Sequence, residues 1–335
     1  MIKNKAARRV LQAFCTLHFA FCARPAARGA DLLALTQTIL LPGVKGRFDH
    51  FSIDAKGKRL FVAALANNSV EVIDLAAAKR IQSVTGMSKP CGVLYLVERN
   101  QIAVANGDDG TFKLLEGADF KILRSVSEVP DADNLRLDPE TKLAWLGYGD
   151  GALGIIDTDS SRLIHSIKLP AHPESFQLEK QGPHIFVNLP GAKQIAVVAR
   201  DKRSVVKTWP MDKYQANFPM ALDESNQRLF VGCRKPPRLV VFDTQGGKPV
   251  ADLAISRDTD DLFHDAKRKR IYVSCGEGFV DVVEQSSPDN YRLTSNMPTA
   301  AGARTCFFSP DLDRLYLAVP ARGNQNAEIR VYQPE

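Results

Sequence analysis

The chain has the composition of an ordinary globular protein. Of its 335 residues, 44% are hydrophobic and 24% are charged, which excludes a disordered or collagen-like chain and provides ample material for a large core. Its formal net charge of +6 would suit a nucleic-acid partner, but the charge is unevenly distributed along the chain.

Residues 1–30 have the pattern of a secretory signal peptide. A basic start that includes Lys3, Lys5, Arg8 and Arg9 precedes a mostly apolar run over residues 10–23, and small residues follow. The apolar run is too short to cross a bilayer, so we expect no membrane span. The sequence therefore predicts a periplasmic or secreted protein whose mature domain covers residues 31–335.

The predicted signal peptide also accounts for the positive charge. It contains six of the 44 basic residues and none of the 38 acidic residues, so its removal leaves 38 of each. A nucleic-acid partner normally requires a basic mature domain. Zero net charge therefore argues against single-strand nucleic-acid binding.

A repeat of 41–44 residues organises the rest of the chain. In the first copy, residues 46–54 form a polar tip, an alternating apolar and polar stretch, and an acidic turn; an apolar run starts at Leu60, six residues after Asp54. A period of about 40–45 residues is the size of a four-stranded propeller blade. Taking Asp49 as reference, the equivalent positions form what we call the first column: Asp49, Cys91, Asp133, Glu174, Phe218, Asp260 and Arg304.

Two residues after the first column, every copy has an apolar residue or cysteine, which we expect to fill the interface between neighbouring blades: Phe51, Val93, Leu135, Phe176, Met220, Leu262 and Cys306. The pattern predicts an all-β fold, a seven-bladed β-propeller in a single domain. The last copy ends with its third strand at residues 328–332, whereas a strand-like run at residues 32–41 precedes the first copy. We therefore expect this N-terminal strand to complete the last blade and close the ring.

Residues 59–74, RLFVAALANNSVEVID, resemble the YVTN-type β-propeller repeat of bacterial surface and periplasmic proteins. The resemblance extends over seven copies, so the mature chain is similar to the YncE-like family. It implies an exported, non-membrane, seven-bladed propeller. It does not specify a function, because propellers of this kind include binding proteins, electron-transfer subunits and lyases.

The polar positions at the start of each inner strand are the natural candidates for a site, because the inner strands surround the propeller axis. The first column and the position after it hold five carboxylates, a histidine and an arginine, and Arg47 and Asn217 stand just before them. The candidate ligand-binding residues are Arg47, Asp49, His50, Asp133, Asn134, Glu174, Asn217, Asp260, Asp261 and Arg304.

These residue types permit several chemistries. Carboxylates with Asn134 suit a hard cation such as Ca²⁺ or Mg²⁺, with Asp49, Glu174 and Asp260 as candidate ligands. His50 suits a general base or a ligand for a softer metal, and Arg47 and Arg304 suit an anionic group. The alternative is structural: Asp and Asn at loop-to-strand corners satisfy backbone groups, and the arginines neutralise them.

The sequence favours a monomeric binding or interaction module, with a small-molecule ligand or a periplasmic protein as its partner. The rival hypothesis is an enzyme, a metal-assisted hydrolase, lactonase or lyase, in which Asp49, Glu174 and Asp260 hold the ion and His50 acts as the base. No other cofactor is indicated.

The remaining cysteines and histidines give weaker signals. Cys233 and Cys275 occupy matching places in adjacent copies. The sequence is compatible with a disulfide between them or with two buried thiols. His165, His172 and His184 have no metal-like spacing. His264 falls in an apolar column, where we expect a hydrogen-bonded core histidine.

Overall fold

The computed structural model describes residues 32–335, which form seven four-stranded antiparallel sheets. The predicted signal peptide, residues 1–30, lies outside the described residues. Within residues 32–335, no helix has the length and apolar character that crossing a membrane requires. The fold is a seven-bladed β-propeller, as the repeat predicts.

In blades 1 to 6, each blade is a meander whose four strands follow chain order. Blade 1 comprises β2 to β5: Phe51–Asp54, Arg59–Ala64, Ser69–Asp74 and Lys79–Val84. Blade 2 comprises β6 to β9: Pro90–Leu96, Gln101–Asn106, Thr111–Glu116 and Ile122–Val126. Blade 3 comprises β10 to β13: Leu135–Leu137, Leu143–Tyr148, Ala152–Asp157 and Arg162–Lys168.

The next three blades repeat this order. Blade 4 comprises β14 to β17: Phe176–Leu178, His184–Leu189, Gln194–Ala199 and Ser204–Pro210. Blade 5 comprises β18 to β21: Gln215–Asp223, Arg228–Lys235, Pro237–Asp243 and Pro249–Ala254. Blade 6 comprises β22 to β25: Thr259–Asp265, Arg270–Cys275, Phe279–Ser287 and Asn290–Pro298. Short 3₁₀ turns occur in three hairpins: Leu65–Asn67, Val97–Arg99 and Pro190–Ala192.

Blade 7 joins the two ends of the described chain. Its first three strands, β26 to β28, are Cys306–Ser309, Arg314–Val319 and Ala327–Pro334, and its outer strand is β1, Leu33–Leu41. Strands β1 and β28 pair antiparallel, from Leu33 opposite Pro334 to Leu41 opposite Ala327. The predicted closure by the N-terminal strand is therefore confirmed, and it ties β1 to a strand almost 300 residues away.

The core consists of seven apolar clusters, each between two adjacent blades. Each cluster contains one member of the column predicted to fill these interfaces. Phe176 of blade 4, for example, is fully buried among Trp145 and Leu153 of blade 3 and Ile185 of its own blade. Truncation of such a side chain to alanine typically costs about 3–5 kcal/mol.

The acidic turn has a structural role in four of the repeats. Asp54 Oδ1 accepts a hydrogen bond from Gly57 N at 2.8 Å, and Asp138, Asp223 and Asp265 accept backbone N–H groups in the same way. These aspartates replace backbone partners that a tight turn leaves unpaired. The turn explains why the repeat holds its register.

The four cysteines of the described chain are buried free thiols. Cys233 packs in the cluster between blades 4 and 5, whereas Cys275 packs in the cluster between blades 5 and 6. The two side chains thus face different interfaces, and no disulfide joins them.

Candidate functional site

The structure places all seven residues of the first column around one cavity on the propeller axis. This axial cavity has a volume of about 250 Å³. Backbone hydrogen bonds give the column residues the same orientation in blades 1, 3 and 4: Asp49 N donates to Ala63 O at 2.8 Å, Asp133 N to Gly147 O at 2.9 Å and Glu174 N to Asn188 O at 3.0 Å. The repeat in sequence thereby becomes a ring of side chains.

One side of the axial cavity brings carboxylates and imidazoles together. Ligand atoms of Asp49, His50 and Asp133 all lie within 4.8 Å of one another, and His50 Nε2 is 3.5 Å from Asp49 Oδ1. Glu174 lines the same side, and no basic side chain of residues 32–335 lies within 4.0 Å of its carboxylate. We call Asp49, His50, Asp133, His172 and Glu174 the open half of the cavity.

His172 belongs to the open half, although its sequence spacing gave no metal-like signal. Its Nδ1 lies 2.6 Å from Gly149 O. A carbonyl oxygen only accepts hydrogen bonds, so Nδ1 carries a proton. Its Nε2 is 3.7 Å from Asp133 Oδ2. The interaction with the Asp133 carboxylate raises the pKa of His172 to about 9, against the opposing effect of burial.

The carboxylates of the open half have unequal proton affinities. Burial and the nearby charges of Asp133 and Asp260 raise the pKa of Asp49 well above its usual value. Burial and the charge of Asp133 likewise raise the pKa of Glu174 to about 7. For Asp133, burial acts to raise the pKa, but the interaction with the positively charged His172 outweighs burial and lowers it. Asp133 therefore holds the negative charge most firmly.

His50 is a neutral imidazole at physiological pH. Burial is the main cause that lowers its pKa to about 4, and the charges of Arg136 and Arg47 act in the same direction. A neutral imidazole is the form that acts as a metal ligand or a general base. Its ring lies between Asp49 and Asp261, whose Oδ1 is 3.7 Å from Nδ1.

The opposite side of the axial cavity contains guanidinium groups that already have partners. Arg304 Nε is 3.0 Å from Asp260 Oδ2, and Arg304 Nη1 is 2.9 Å from both carboxylate oxygens of Asp258. Arg234 also contacts Asp260 and Asp258, and its Cζ lies 3.9 Å from the centroid of the Phe218 ring. We call Phe218, Arg234, Asp258, Asp260 and Arg304 the paired half.

Two further candidates at the axial cavity have distinct environments. Arg47 lines the cavity mouth with its side chain half exposed, and its Nη2 is 3.2 Å from Asp49 Oδ2. Asn134 is buried in the lining, and its Oδ1 has no hydrogen-bond partner within residues 32–335. An unpaired buried amide oxygen is costly, and a ligand donor or a cation would satisfy it.

Two candidates lie outside the axial cavity. Asn217 is fully buried, and its Nδ2 donates to Asn188 Oδ1 at 2.9 Å and to Gln194 O at 3.2 Å. A register shift between Asn217 and Met220 carries this side chain into blade 4, so the prediction of a ligand-binding Asn217 requires correction. Asp261 lies deeper along the axis, where its Oδ2 accepts the Cys306 N–H at 3.0 Å.

Several lining residues were missed by the sequence analysis. Lys89, Asp131 and His172 stand two residues before their first-column positions, as Arg47 stands before Asp49, so extending the column alignment by this position would have found them. Arg234 was not detectable in this way. It reaches the cavity because β19 has eight residues, whereas the second strands of the other blades have six.

The geometry favours one cation set over the set expected from sequence. Asp260, predicted as a ligand with Asp49 and Glu174, lies between two arginines in the paired half. The compact group is instead Asp49, His50 and Asp133. Two carboxylates with one imidazole suit a transition-metal ion better than Ca²⁺, which prefers an all-oxygen shell.

A second cavity lies further along the axis, beyond His50, which lines both. This lower cavity has a volume of about 460 Å³. It is lined by the seven residues that stand three positions after the first column: Ser52, Leu94, Arg136, Gln177, Ala221, Phe263 and Phe307. His264 borders it as well and packs against Phe230, but its Nε2 has no hydrogen-bond partner in the described chain, contrary to expectation.

Comparisons with known proteins agree with the fold. The chain is 20% identical over 290 residues to uncharacterized protein YncE of Salmonella typhimurium, and the match covers 83% of this chain and 70% of that protein. YncE of Salmonella typhi matches to the same extent. No protein-family model matches the chain.

Solved structures show the same architecture at low sequence identity. A chain of Kuenenia stuttgartiensis hydrazine synthase superposes with a TM-score of 0.74 at 16% identity and covers 86% of this chain and 98% of its own length. A chain of a mitotic checkpoint complex gives 0.75 at 14% identity, with coverage of 96% and 98%. These similarities establish the fold alone. Together with the YncE matches, they show that the chain is a seven-bladed β-propeller with similarity to YncE.

Proposed function

We propose that the protein is an exported binding module whose axial cavity holds a small ligand with a cationic group. The observation that supports this most directly is the surplus of carboxylates in the open half, where Asp49, Asp133 and Glu174 outnumber the positive groups beside them, Arg47 and the His172 imidazolium. Like charges at such separations are costly in a buried site, and a bound cationic group would relieve that cost.

The two halves of the cavity suggest how such a ligand lies. An ammonium group fits the open half, where Asp133 retains its charge and Asn134 Oδ1 lacks a donor. Arg47 at the mouth, with its side chain half exposed, is available to an anionic group of the same ligand. The ligand class is therefore a small amine or zwitterion, such as an amino acid or a diamine.

A thermal-shift screen tests this assignment. The wild-type chain would be melted with glycine, arginine, putrescine and choline, each at millimolar concentration. A compound that binds the native state raises the melting temperature through mass action. We expect at least one amine to do so, the shift to fall sharply in Glu174→Gln, and Glu140→Gln, an exposed carboxylate outside the cavity, to behave as wild type. No shift with any probe would contradict the proposal.

A metal-assisted enzyme is the second candidate, and the Asp49, His50 and Asp133 cluster is the observation that favours it. These three side chains would hold a divalent ion, which would supply Lewis-acid activation of an ester, lactone or related substrate. His50 then serves as a ligand instead of the base, and Glu174 is the carboxylate placed in the same cavity for proton transfer.

Elemental analysis separates this candidate from the first. A metal site predicts a stoichiometric divalent ion in the purified mature protein, a lower melting temperature in EDTA and loss of both properties in Asp133→Asn. Glu140→Gln would retain the ion. Absence of metal, together with an unchanged melting curve in EDTA, would exclude the enzyme and leave the organic ligand.

Export and oligomeric state complete the proposal. We infer that residues 1–30 direct the chain to the periplasm or beyond, where it acts as a monomer because β1 closes the ring within one chain. Fractionation of cells that produce residues 1–335 or 31–335 tests the location: the longer form should be shortened and exported. Light scattering of the mature protein should give the monomer mass, and a dimer mass would contradict this part.

A further inference from the structure

The lower cavity contains a charged group that the proposed function leaves unused. Arg136, on inner strand β10, lines this cavity and not the axial cavity. Its Nη1 donates to Leu135 O at 2.8 Å. A guanidinium has five N–H donors, and we find no other hydrogen bond from this group within residues 32–335.

Arg136 also lacks an ion-pair partner. No carboxylate oxygen of the described chain lies within 4.0 Å of its guanidinium nitrogens. Asp261, the acidic residue that borders the same cavity, directs one oxygen to the Cys306 N–H and the other toward His50. In contrast, Arg234 and Arg304 in the axial cavity each have two aspartate partners.

The position of the Arg136 guanidinium is held by an aromatic ring. Its Cζ lies 5.6 Å from the centroid of the Phe176 ring, within the range of a cation–π interaction. That contact fixes the group at the cavity wall but leaves most of its N–H donors free. An arginine held in place with free donors is well suited to bidentate recognition of a carboxylate.

The rest of the lower cavity is largely apolar and aromatic. The rings of Phe263 and Phe307 meet edge to face with centroids 5.5 Å apart, and Phe51 stacks on Phe307 at 6.4 Å. Leu94 and Ala221 complete the apolar wall. A volume of about 460 Å³ lies within the 300–1,000 Å³ that is typical of small-molecule sites.

We propose that the lower cavity binds an organic monocarboxylate with a flat apolar body, whose carboxylate pairs with Arg136 and whose body packs on Phe263 and Phe307. One guanidinium supplies one positive charge at the cavity wall, which matches a ligand with one carboxylate. Exposed Lys180 borders the cavity and attracts anions toward it. This site is independent of the cation-binding proposal.

Calorimetric titration of the mature protein with 2-naphthoate tests the site. We expect binding, and we expect the neutral analogue 2-naphthalenemethanol to bind at least tenfold more weakly, because it cannot pair with Arg136. Arg136→Gln should weaken naphthoate binding at least tenfold, and Arg136→Lys should weaken it less. Arg162→Gln, at an exposed position outside both cavities, should leave naphthoate binding within twofold of wild type.

A second variant keeps the test valid if Arg136→Gln fails to fold. Leu94→Trp fills the lower cavity while Arg136 is retained, and it should abolish naphthoate binding. Equal affinity for naphthoate and its neutral analogue, or unchanged naphthoate binding in either variant, would overturn the proposal. Failure of the amine screen would not affect this result, since Glu174 lies in the other cavity.

Discussion

The two halves of the axial cavity both contain buried carboxylates, but the carboxylates of the two halves have different partners. In the paired half, Asp258 and Asp260 lie between Arg234 and Arg304, so each charge has a partner from the chain itself. In the open half, three carboxylates face one another and two histidines. In the first arrangement the charges are balanced within the chain, whereas in the second the carboxylates outnumber the positive groups beside them, Arg47 and the His172 imidazolium.

The comparison shows that a carboxylate near the propeller axis can be paired with arginines of the chain or can face other carboxylates. The pKa of Asp260 is raised by burial, and three arginines, Arg234, Arg304 and Arg47, oppose this rise. The pKa of Glu174 is raised by burial and by the charge of Asp133, and the charges of His172 and Arg234 oppose this rise. A functional site is recognised by this imbalance more than by the presence of carboxylates.

The largest effect is expected from breaking the paired half. Asp260→Ala would leave Arg234 and Arg304 near each other in a mostly buried site with only Asp258 as partner. Loss of one member of a buried ion-pair network typically costs about 3–5 kcal/mol. Urea unfolding should show that the unfolding free energy of Asp260→Ala is lower by this amount. Arg162→Ala, at an exposed position, should change the unfolding free energy little. Equal small effects would show that the paired half does not stabilise the ring.

The second-largest effect is a loss of stability at rising pH that is caused by the ionisation of Glu174. Its pKa rises from 4.5 to about 7 on folding, so the folded state binds more protons between these values and stability falls as pH rises from about 4.5 to 7. The maximum loss is about 3 kcal/mol at 1.36 kcal/mol per pKa unit.

The difference between wild type and Glu174→Gln isolates this contribution. The comparison is necessary because His50, whose pKa is lowered to about 4, contributes stability above pH 6.5 that is lost as pH falls toward 4. The melting temperatures of both proteins should be measured from pH 4 to 8. As the pH rises, the melting temperature of Glu174→Gln should increase relative to that of the wild type. Parallel curves would contradict the raised pKa of Glu174.

A third prediction concerns the imidazole of the open half. The pKa of His172 is about 9 because of Asp133, and Asp133→Asn removes that charge. The pKa of His172 should then fall by at least one unit, since burial acts to lower it. NMR titration of the ring resonances measures this change, and His165, which lies on outer strand β13 and is absent from the lining, is the control. An unchanged pKa would show that the two groups do not interact.

The smallest effect is expected at Arg47. Its side chain is half exposed beside Asp49, and exposed ion pairs typically contribute below about 1 kcal/mol. Arg47→Gln should therefore leave the unfolding free energy almost unchanged, while it weakens any ligand that carries an anionic group at the cavity mouth. A large decrease in the unfolding free energy of Arg47→Gln would contradict this prediction and would show that Arg47 stabilises the fold.

The fold could be predicted because its signals are periodic. Spacing along the chain predicts the acidic turns, the apolar column and the N-terminal strand at residues 32–41 that precedes the first repeat. The pairing of strands in the seven sheets agrees with these predictions. The same periodicity predicted which residues surround the axis. Neither result required knowledge of side-chain contacts.

The division of the axial cavity could not be predicted, because it depends on local departures from the repeat. Strand β19 continues for two more residues than its counterparts and carries Arg234 to Asp260. The irregular register near Asn217 turns that side chain into blade 4. Arg136 was missed because its position in the repeat is apolar in blades 2, 5, 6 and 7. Such differences of one or two residues decide which groups meet.

Native mass spectrometry of the mature protein with the four amine probes and MnCl₂ tests the central claim most directly. We predict a one-to-one complex with a cationic species in wild type and in Glu140→Gln, and its loss in Asp133→Asn. The mass of the complex also distinguishes an organic amine from a metal ion. Equal complex formation by wild type and Asp133→Asn, or none by either, would contradict the assignment of the open half as a cation-binding site.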